Sequence, residues 1–156
     1  MTKKMQQKDN SGLDQLATFQ IGSRKYGIDV QDVQEIVNQM KMTRVPLAPN
    51  FVKGLINLRG QLATAIDLGH FFNLPVKTGD DHVNLVCQTD NGALSLLVDE
   101  IGDVIDIDRT KVDDAPSTIS GEIRGYIIGV YRVSETLISI LDLKKIVSKI
   151  NGEIKT

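Results

Sequence analysis

The fold is decided by residues 54–66, which read GLINLRGQLATAI. Two short runs rich in Leu, Ile and Ala, 54–58 and 62–66, flank Arg59-Gly60-Gln61. Two runs of this kind on either side of a Gly-containing turn are typical of a β-hairpin. We therefore predict a tight hairpin in which Gly60 supplies the positive φ that the turn requires.

Similar runs rich in Val, Ile and Leu lie on both sides of this hairpin. The segment 16–21 alternates and predicts a strand, and 26–28 predicts its short return strand. The apolar positions of 30–37 have helical spacing, which predicts one or two turns of helix there. After the hairpin, Asp67 is predicted to cap a short helix that ends at Phe72.

The second half of the chain repeats the first across a predicted linker at 75–81. Four anchors keep their order while their offset grows from 68 to 70, 71 and 75 residues: the apolar patterns of 30–37 and 98–105, Pro46 and Pro116, Gly54-Leu55-Ile56 and Gly125-Tyr126-Ile127, and Asp67-Leu68 and Asp142-Leu143. Small insertions in loops account for such growth. Because the widest step separates the last two anchors, we predict that the second hairpin, 130–137, is longer than the first.

Each half offers roughly five short strands, too few to hide its edges as an open sheet, and closure into a small barrel is the usual solution. The sequence therefore predicts an all-β fold with short helices, built as two five-stranded β-barrels in a pseudo-duplicated arrangement around a shared core. We expect a flexible tail at 1–15, one domain at 16–150 with interleaved subdomains at approximately 16–75 and 82–150, and a tail at 151–156.

Composition restricts the classes of function. The chain has 156 residues, a formal net charge of −2 and only 4% aromatic residues without Trp, which argues against nucleic acid or acidic lipid as a partner. It carries no signal-peptide core and no apolar run long enough to span a membrane, so we expect a cytoplasmic protein. Cys87, the single cysteine, is predicted to be a buried thiol on a strand.

Motifs for chemistry are missing from the sequence. His70 and His82 have no Cys or His at ligand spacing, and the acidic stretch 99–108 lacks a glycine and a terminal glutamate at the spacing of an EF-hand calcium loop. No serine lies in a nucleophile elbow, and there is no phosphate-binding glycine loop. We predict no metal and no cofactor, although an enzyme built on a pair of carboxylates stays open as an alternative.

Arg59 is the residue that stands out. The predicted hairpin places its guanidinium at the tip, and arginine is favoured at protein interfaces because its planar fork binds carboxylates and packs over apolar groups. Asp32 and Glu35 lie on the more polar side of the predicted helix. An ordinary solvated hairpin arginine is the alternative interpretation.

The ordered motifs of the chain resemble those of the CheW family. In the first half they are YGID at 26–29, VQEI at 33–36, KGLINLRG at 53–60 and IDL at 66–68, and in the second half LVDEIGDV at 97–104 and LDL at 141–143. The resemblance runs from about Ala17 to Val147. It implies two SH3-like β-barrels and places eight residues at or beside positions of receptor or kinase contact: Val33, Glu35, Gly54 and Arg59, with Ile36, Asn57, Leu58 and Gly60 as their neighbours.

What the resemblance implies is an adaptor without catalytic activity. It would bridge methyl-accepting chemotaxis receptors to the regulatory domain of the histidine kinase CheA, would be recruited from the cytoplasm to membrane receptor arrays without inserting into the membrane, and would be a monomer away from its partners. Two alternatives stay open beside the enzyme: a small-barrel protein that binds nucleic acid, and a CheW-like regulatory module of another two-component pathway.

Overall fold

A computed structural model describes residues 14–74, 82–119 and 121–154. The predicted linker at 75–81 and most of the predicted N-terminal tail lie outside the described residues. Within them the chain forms these strands and helices: β1 Gln15–Ile21, β2 Arg24–Asp29, β3 Val33–Val37, β4 Val52–Leu58, β5 Gln61–Asp67, α1 Leu68–Phe71, β6 Val83–Thr89, β7 Gly92–Val98, β8 Glu100–Asp106, β9 Ile127–Val133, β10 Thr136–Leu141 and α2 Leu143–Ile154. Short 3-10 turns occupy Val30–Asp32, Arg109–Lys111 and Glu122–Tyr126.

The strands form two five-stranded sheets that each draw on both halves of the chain. The first sheet has the order β3-β6-β7-β5-β4 and the second the order β8-β1-β2-β10-β9. Each sheet thus takes two consecutive strands from one half and three from the other. The two contributions meet at a parallel pair, β5 with β7 or β10 with β2, and at an antiparallel pair, β3 with β6 or β1 with β8. The mostly β, SH3-like arrangement of two five-stranded units is confirmed, while the subdomain boundaries stay a prediction.

The prediction of a helix over 30–37 is wrong for most of its length. Only Val30–Asp32 form a 3-10 turn, and Val33–Val37 form β3. β3 pairs antiparallel with β6, Ile36 opposite Leu85, and a bulge lies between Val33 and Glu35. β-branched residues favour a pleated strand, and the hydrogen bonds that the edge of β6 offers outweigh a weak helical periodicity.

The hairpin of β4 and β5 is confirmed, and its turn is tighter than predicted. Both turn residues have positive φ, 51° at Arg59 and 90° at Gly60, which is the pattern of a type I′ turn. The Asn57 side chain accepts a hydrogen bond from the Gly60 amide at 2.8 Å. Asp67 caps α1 as predicted, because its Oδ1 accepts from the His70 amide at 3.0 Å.

Two backbone bridges complete the edges of the sheets. After β3 the chain returns to β4, where Thr43 and Leu55 exchange hydrogen bonds of 2.9 and 2.8 Å. After β8 it returns to β9 in the same way, where Asp113 and Val130 exchange bonds of 2.9 and 2.8 Å. In their strand order both sheets are open, with two edge strands each. One isolated bridge in each sheet links the segment that follows one edge strand to the other edge strand.

These bridges correct the register of the internal repeat. A Cβ on Gly54 would lie 2.7 Å from the Thr43 carbonyl oxygen, and one on Gly129 would lie 2.8 Å from that of Asp113, whereas Gly125 has open space. Gly54 therefore corresponds to Gly129, at the same offset of 75 residues as the two aspartates. The predicted longer second hairpin is wrong, because Ser134-Glu135 is a two-residue turn like Arg59-Gly60.

One core lies between the sheets and includes side chains from both. Phe19 and Tyr26 from the second sheet, Leu85 and Leu96 from the first, and Ile146 from α2 are all at most 2% exposed and belong to one cluster. Leu143, Ile146 and Ile150 are the buried face of α2, which continues to Ile154 and so enters the stretch that the sequence assigns to a tail. In the part of the chain that the structure describes, no helix is long and apolar enough to cross a membrane.

Cys87 lies fully buried on β6, as predicted. Burial raises the pKa of its thiol to about 12, so almost none of it is thiolate at pH 8. We expect the native protein to resist a disulfide-exchange reagent such as DTNB at pH 8, and the same thiol to react at once in denaturing urea. Fast reaction of the folded protein would show that β6 opens locally.

Candidate partner-binding surface

The eight residues singled out in the sequence lie along the two edge strands of the first sheet and the turn that follows one of them. Val33, Glu35 and Ile36 are on β3, and Gly54, Asn57 and Leu58 are on β4, with Arg59 and Gly60 in the turn. β3 and β4 occupy opposite ends of the strand order. The sheet is curled so strongly that these ends meet, since side chains from β3 and from the turn are in contact.

The contact that joins them is an ion pair. Arg59 Nη2 lies 2.5 Å from Glu35 Oε2, with the arginine side chain 74% exposed and the glutamate 22% exposed. The side-chain amide nitrogen of Gln34 lies 3.4 Å both from Glu35 Oε2 and from Gln61 Oε1, which adds a second polar contact between β3 and the hairpin. The pair fixes the direction of a guanidinium that is otherwise free at a hairpin tip.

The ion pair changes how both groups titrate. The hydrogen bond from Arg59 is the main cause that holds the pKa of the Glu35 carboxyl below its ordinary value, and the same bond raises the pKa of the Arg59 guanidinium. A carboxyl with a lowered pKa stabilises the fold at pH values above its ordinary pKa, and this stabilisation is lost as the pH falls through the lowered value.

We expect the Glu35 carboxyl to titrate below an ordinary glutamate in the folded protein, followed by the carboxyl ¹³C shift in NMR. In Arg59→Gln the pKa of Glu35 should move upward toward the ordinary value, because its main cause of lowering is gone. An unchanged pKa of Glu35 in Arg59→Gln would mean that the ion pair does not persist in solution.

Burial divides the eight residues into two groups. Gly54 and Leu58 are buried, and Val33 is half-buried against the core, so they support the surface from below. Ile36, Asn57, Arg59 and Gly60 are exposed and available to a partner, with Glu35 half-buried beside them.

Leu62 belongs to the same surface and was missed in the sequence. It lies on β5, opposite Asn57, and is 61% exposed, while Ile36 is 48% exposed. Large apolar side chains that are exposed beside a candidate contact residue are a mark of interaction sites. A signal for this was present in the sequence, because alternate residues of a strand face opposite sides and Leu62 alternates with Ala63 and Ala65, which are buried. We call Glu35, Ile36, Arg59 and Leu62 the hairpin surface.

The structure also brings the two histidines to one carboxylate, which the sequence did not predict. Asp67 Oδ2 lies 3.4 Å from His70 Nδ1 and 3.7 Å from His82 Nε2. Asp67 is 3% exposed, and neither its Oδ2 nor His70 Nδ1 has a hydrogen-bond partner within the described residues. No group of three metal-ligating side chains is placed to hold a metal ion across 14–74, 82–119 and 121–154.

Comparison with known proteins identifies the family of this chain. The family model described as the CheW-like domain matches residues 15–151. The chain belongs to the CheW-like domain family. It is 33% identical to the chemotaxis protein CheW of Treponema pallidum over 139 residues, which cover 86% of this chain and 82% of that one. It is 32% identical to CheW of Helicobacter pylori, covering 92% of this chain and 87% of that one.

A solved CheW structure agrees with the fold described above. The crystal structure of the scaffolding protein TtCheW from Thermoanaerobacter tengcongensis superposes with a TM-score of 0.76 and 26% identity, covering 84% of this chain and 85% of that chain. The shared family and fold identify a CheW-like adaptor of chemotaxis, a scaffold and not an enzyme. The hairpin surface lies within the matched region.

Proposed function

We propose that this protein couples methyl-accepting chemotaxis receptors to the histidine kinase CheA, and that the hairpin surface is one of the surfaces through which it does so. The observation that carries the proposal is the Arg59–Glu35 ion pair at the hairpin turn, together with the exposed side chains of Ile36 and Leu62, on a CheW-like fold. The protein would work in the cytoplasm and join the membrane through the receptors that it binds.

Arg59 is suited to a contact between proteins. One of its nitrogens is held by Glu35, and the 74% exposure of its side chain leaves the other donors free for a carboxylate of a partner. Because Glu35 already orients the guanidinium, less conformational entropy is lost when a partner binds. Ile36 and Leu62 add apolar area that an approaching protein would remove from water.

Coupling of this kind needs no reaction. A protein that binds one conformation of a kinase more tightly than another shifts the kinase toward that conformation, by at most the difference between the two binding free energies. Contact with receptors holds the adaptor and the kinase at high local concentration, so that individually weak contacts combine into a stable assembly.

Co-sedimentation tests the proposal. Receptor-containing membranes are mixed with a CheA kinase, with and without this protein, and the pellet is quantified. We expect the protein to pellet with receptor membranes and to increase the amount of kinase in the pellet. If the protein remains in the supernatant with both components present, the coupling function is wrong for this chain, although its fold and family are unaffected.

A further inference from the structure

The main chain at Arg59 adopts a conformation that a residue other than glycine rarely takes. Its φ of 51° lies in the left-handed region, and Gly60 follows with a φ of 90°. Glycine tolerates such values because it has no Cβ, whereas for an arginine the left-handed region is unfavourable. A turn that keeps Arg59 in this conformation therefore needs an interaction that favours it over the alternatives.

The side chain of Asn57 supplies that interaction. The ladder between β4 and β5 ends at the pair of Leu58 with Gln61, so the amide of Gly60 has no partner on the opposite strand. Asn57 Oδ1 accepts a hydrogen bond from this amide at 2.8 Å. Because the bond spans Leu58 and Arg59, it holds the turn around the arginine, in the way that asparagine side chains stabilise turns generally.

The second hairpin has a turn of the same length but cannot form this bond. Its turn is Ser134-Glu135, with a φ of 55° at Ser134 and no positive φ at Glu135. At the offset of 75 residues Arg132 takes the place of Asn57, and an arginine side chain has donors but no acceptor. The asparagine thus occurs in the hairpin whose turn carries an arginine, and not in the hairpin whose turn carries a serine.

We propose that Asn57 is a positioning residue of the hairpin surface, which holds the turn in the conformation that directs Arg59 to Glu35 and to a partner. This role rests on the proposed receptor–kinase function and deepens it. The sequence placed Asn57 beside positions of partner contact, and its side chain acts through Arg59 instead of touching the partner. Without the bond the turn would sample other conformations, and a partner would have to order the guanidinium on binding.

Two substitutions at Asn57 test this role, with the titration of Glu35 and the affinity for CheA as readouts. Asn57→Ala removes the acceptor, and Asn57→Ser keeps a shorter one that also binds amides in turns. In Asn57→Ala we expect the pKa of Glu35 to move upward, though less far than in Arg59→Gln, because Arg59 is near Glu35 for less of the time. The dissociation constant for CheA should rise about fivefold, the effect of ordering one long side chain on binding. Asn57→Ser should titrate nearly as the wild type does and stay within about twofold of its affinity.

The matched control is Asn91→Ala, which makes the same change at an exposed asparagine in the turn between β6 and β7 and should behave as the wild type does. The proposal is overturned if Asn57→Ala leaves the Glu35 titration unchanged, since a loss of affinity alone would mean that Asn57 touches the kinase directly. It is also overturned if Asn57→Ala binds CheA like the wild type, or if Asn57→Ser is as weak as Asn57→Ala. A wild type that does not bind CheA would remove the receptor–kinase function, and the Glu35 titration of the variants would still decide whether Asn57 positions Arg59.

Discussion

Gly54→Ala lowers the free energy of unfolding by about 3 kcal/mol, the largest effect that we expect from adding one methyl group to this protein. The new Cβ would lie 2.7 Å from the Thr43 carbonyl oxygen, which is held in the backbone bridge to Leu55, and the φ of 156° is unfavourable for alanine. Gly129→Ala should lower the free energy of unfolding by about 2 kcal/mol, because the new Cβ would meet the Asp113 carbonyl oxygen in the equivalent bridge. The effect is smaller than at Gly54 because the φ of Gly129 is not positive.

Urea denaturation of the variants measures these costs, with Gly125→Ala as the matched control. A Cβ on Gly125 would have nothing within 4 Å, so this variant should change stability by less than about 0.5 kcal/mol. If Gly125→Ala were as destabilising as Gly54→Ala and Gly129→Ala were neutral, Gly54 would correspond to Gly125, as the sequence predicts, and not to Gly129. The cost at Gly54 also means that any loss of partner binding there acts through the bridge.

Arg59→Glu is expected to weaken binding of the kinase by about tenfold or more. The change removes the exposed donors from the hairpin surface and places a second carboxylate against Glu35, so two like charges repel where the wild type has an ion pair. The measurement is the dissociation constant for CheA by isothermal titration calorimetry. Arg132→Glu makes the same change on an exposed position of the second hairpin and should bind as the wild type does.

The charge-swapped double variant Glu35→Arg with Arg59→Glu separates two roles of the pair. It restores an ion pair between β3 and the hairpin but reverses what a partner meets. We expect it to regain the stability lost in Arg59→Glu and to bind kinase as weakly as that variant. Full recovery of binding would show that the pair only joins the edges of the sheet, and equal binding by Arg59→Glu and the wild type would remove Arg59 from the surface.

Local signals in the sequence predicted much of the fold. The hairpin at 54–66 and the cap at Asp67 depend on residues within a few positions of one another, so turn chemistry and capping rules describe them. The prediction for β3 failed because its strand is made by pairing with β6, about fifty residues away, which periodicity in 30–37 does not contain. The repeat register failed because the role of Gly129 depends on a carbonyl oxygen of Asp113 and not on neighbouring residues.

The candidate surface was only partly visible in the sequence. Motif resemblance selected Glu35 and Arg59, but the helical periodicity placed Glu35 on a helix and gave no reason for the two to meet. Their contact depends on the curl of the first sheet, a property of all five strands together. Leu62 could be assigned to the surface only when the exposure of its side chain was known.

Transmission of receptor control to a kinase is the role proposed for this protein, and the rate of CheA autophosphorylation measures it most directly. Kinase, receptor-containing membranes and this protein are combined in all pairs and together, with Arg59→Glu and Arg132→Glu in place of the wild type. We predict that the rate rises several-fold only in the complete mixture, equally with Arg132→Glu and not with Arg59→Glu. A rate in the complete mixture equal to that of kinase with receptors alone would contradict the proposed role.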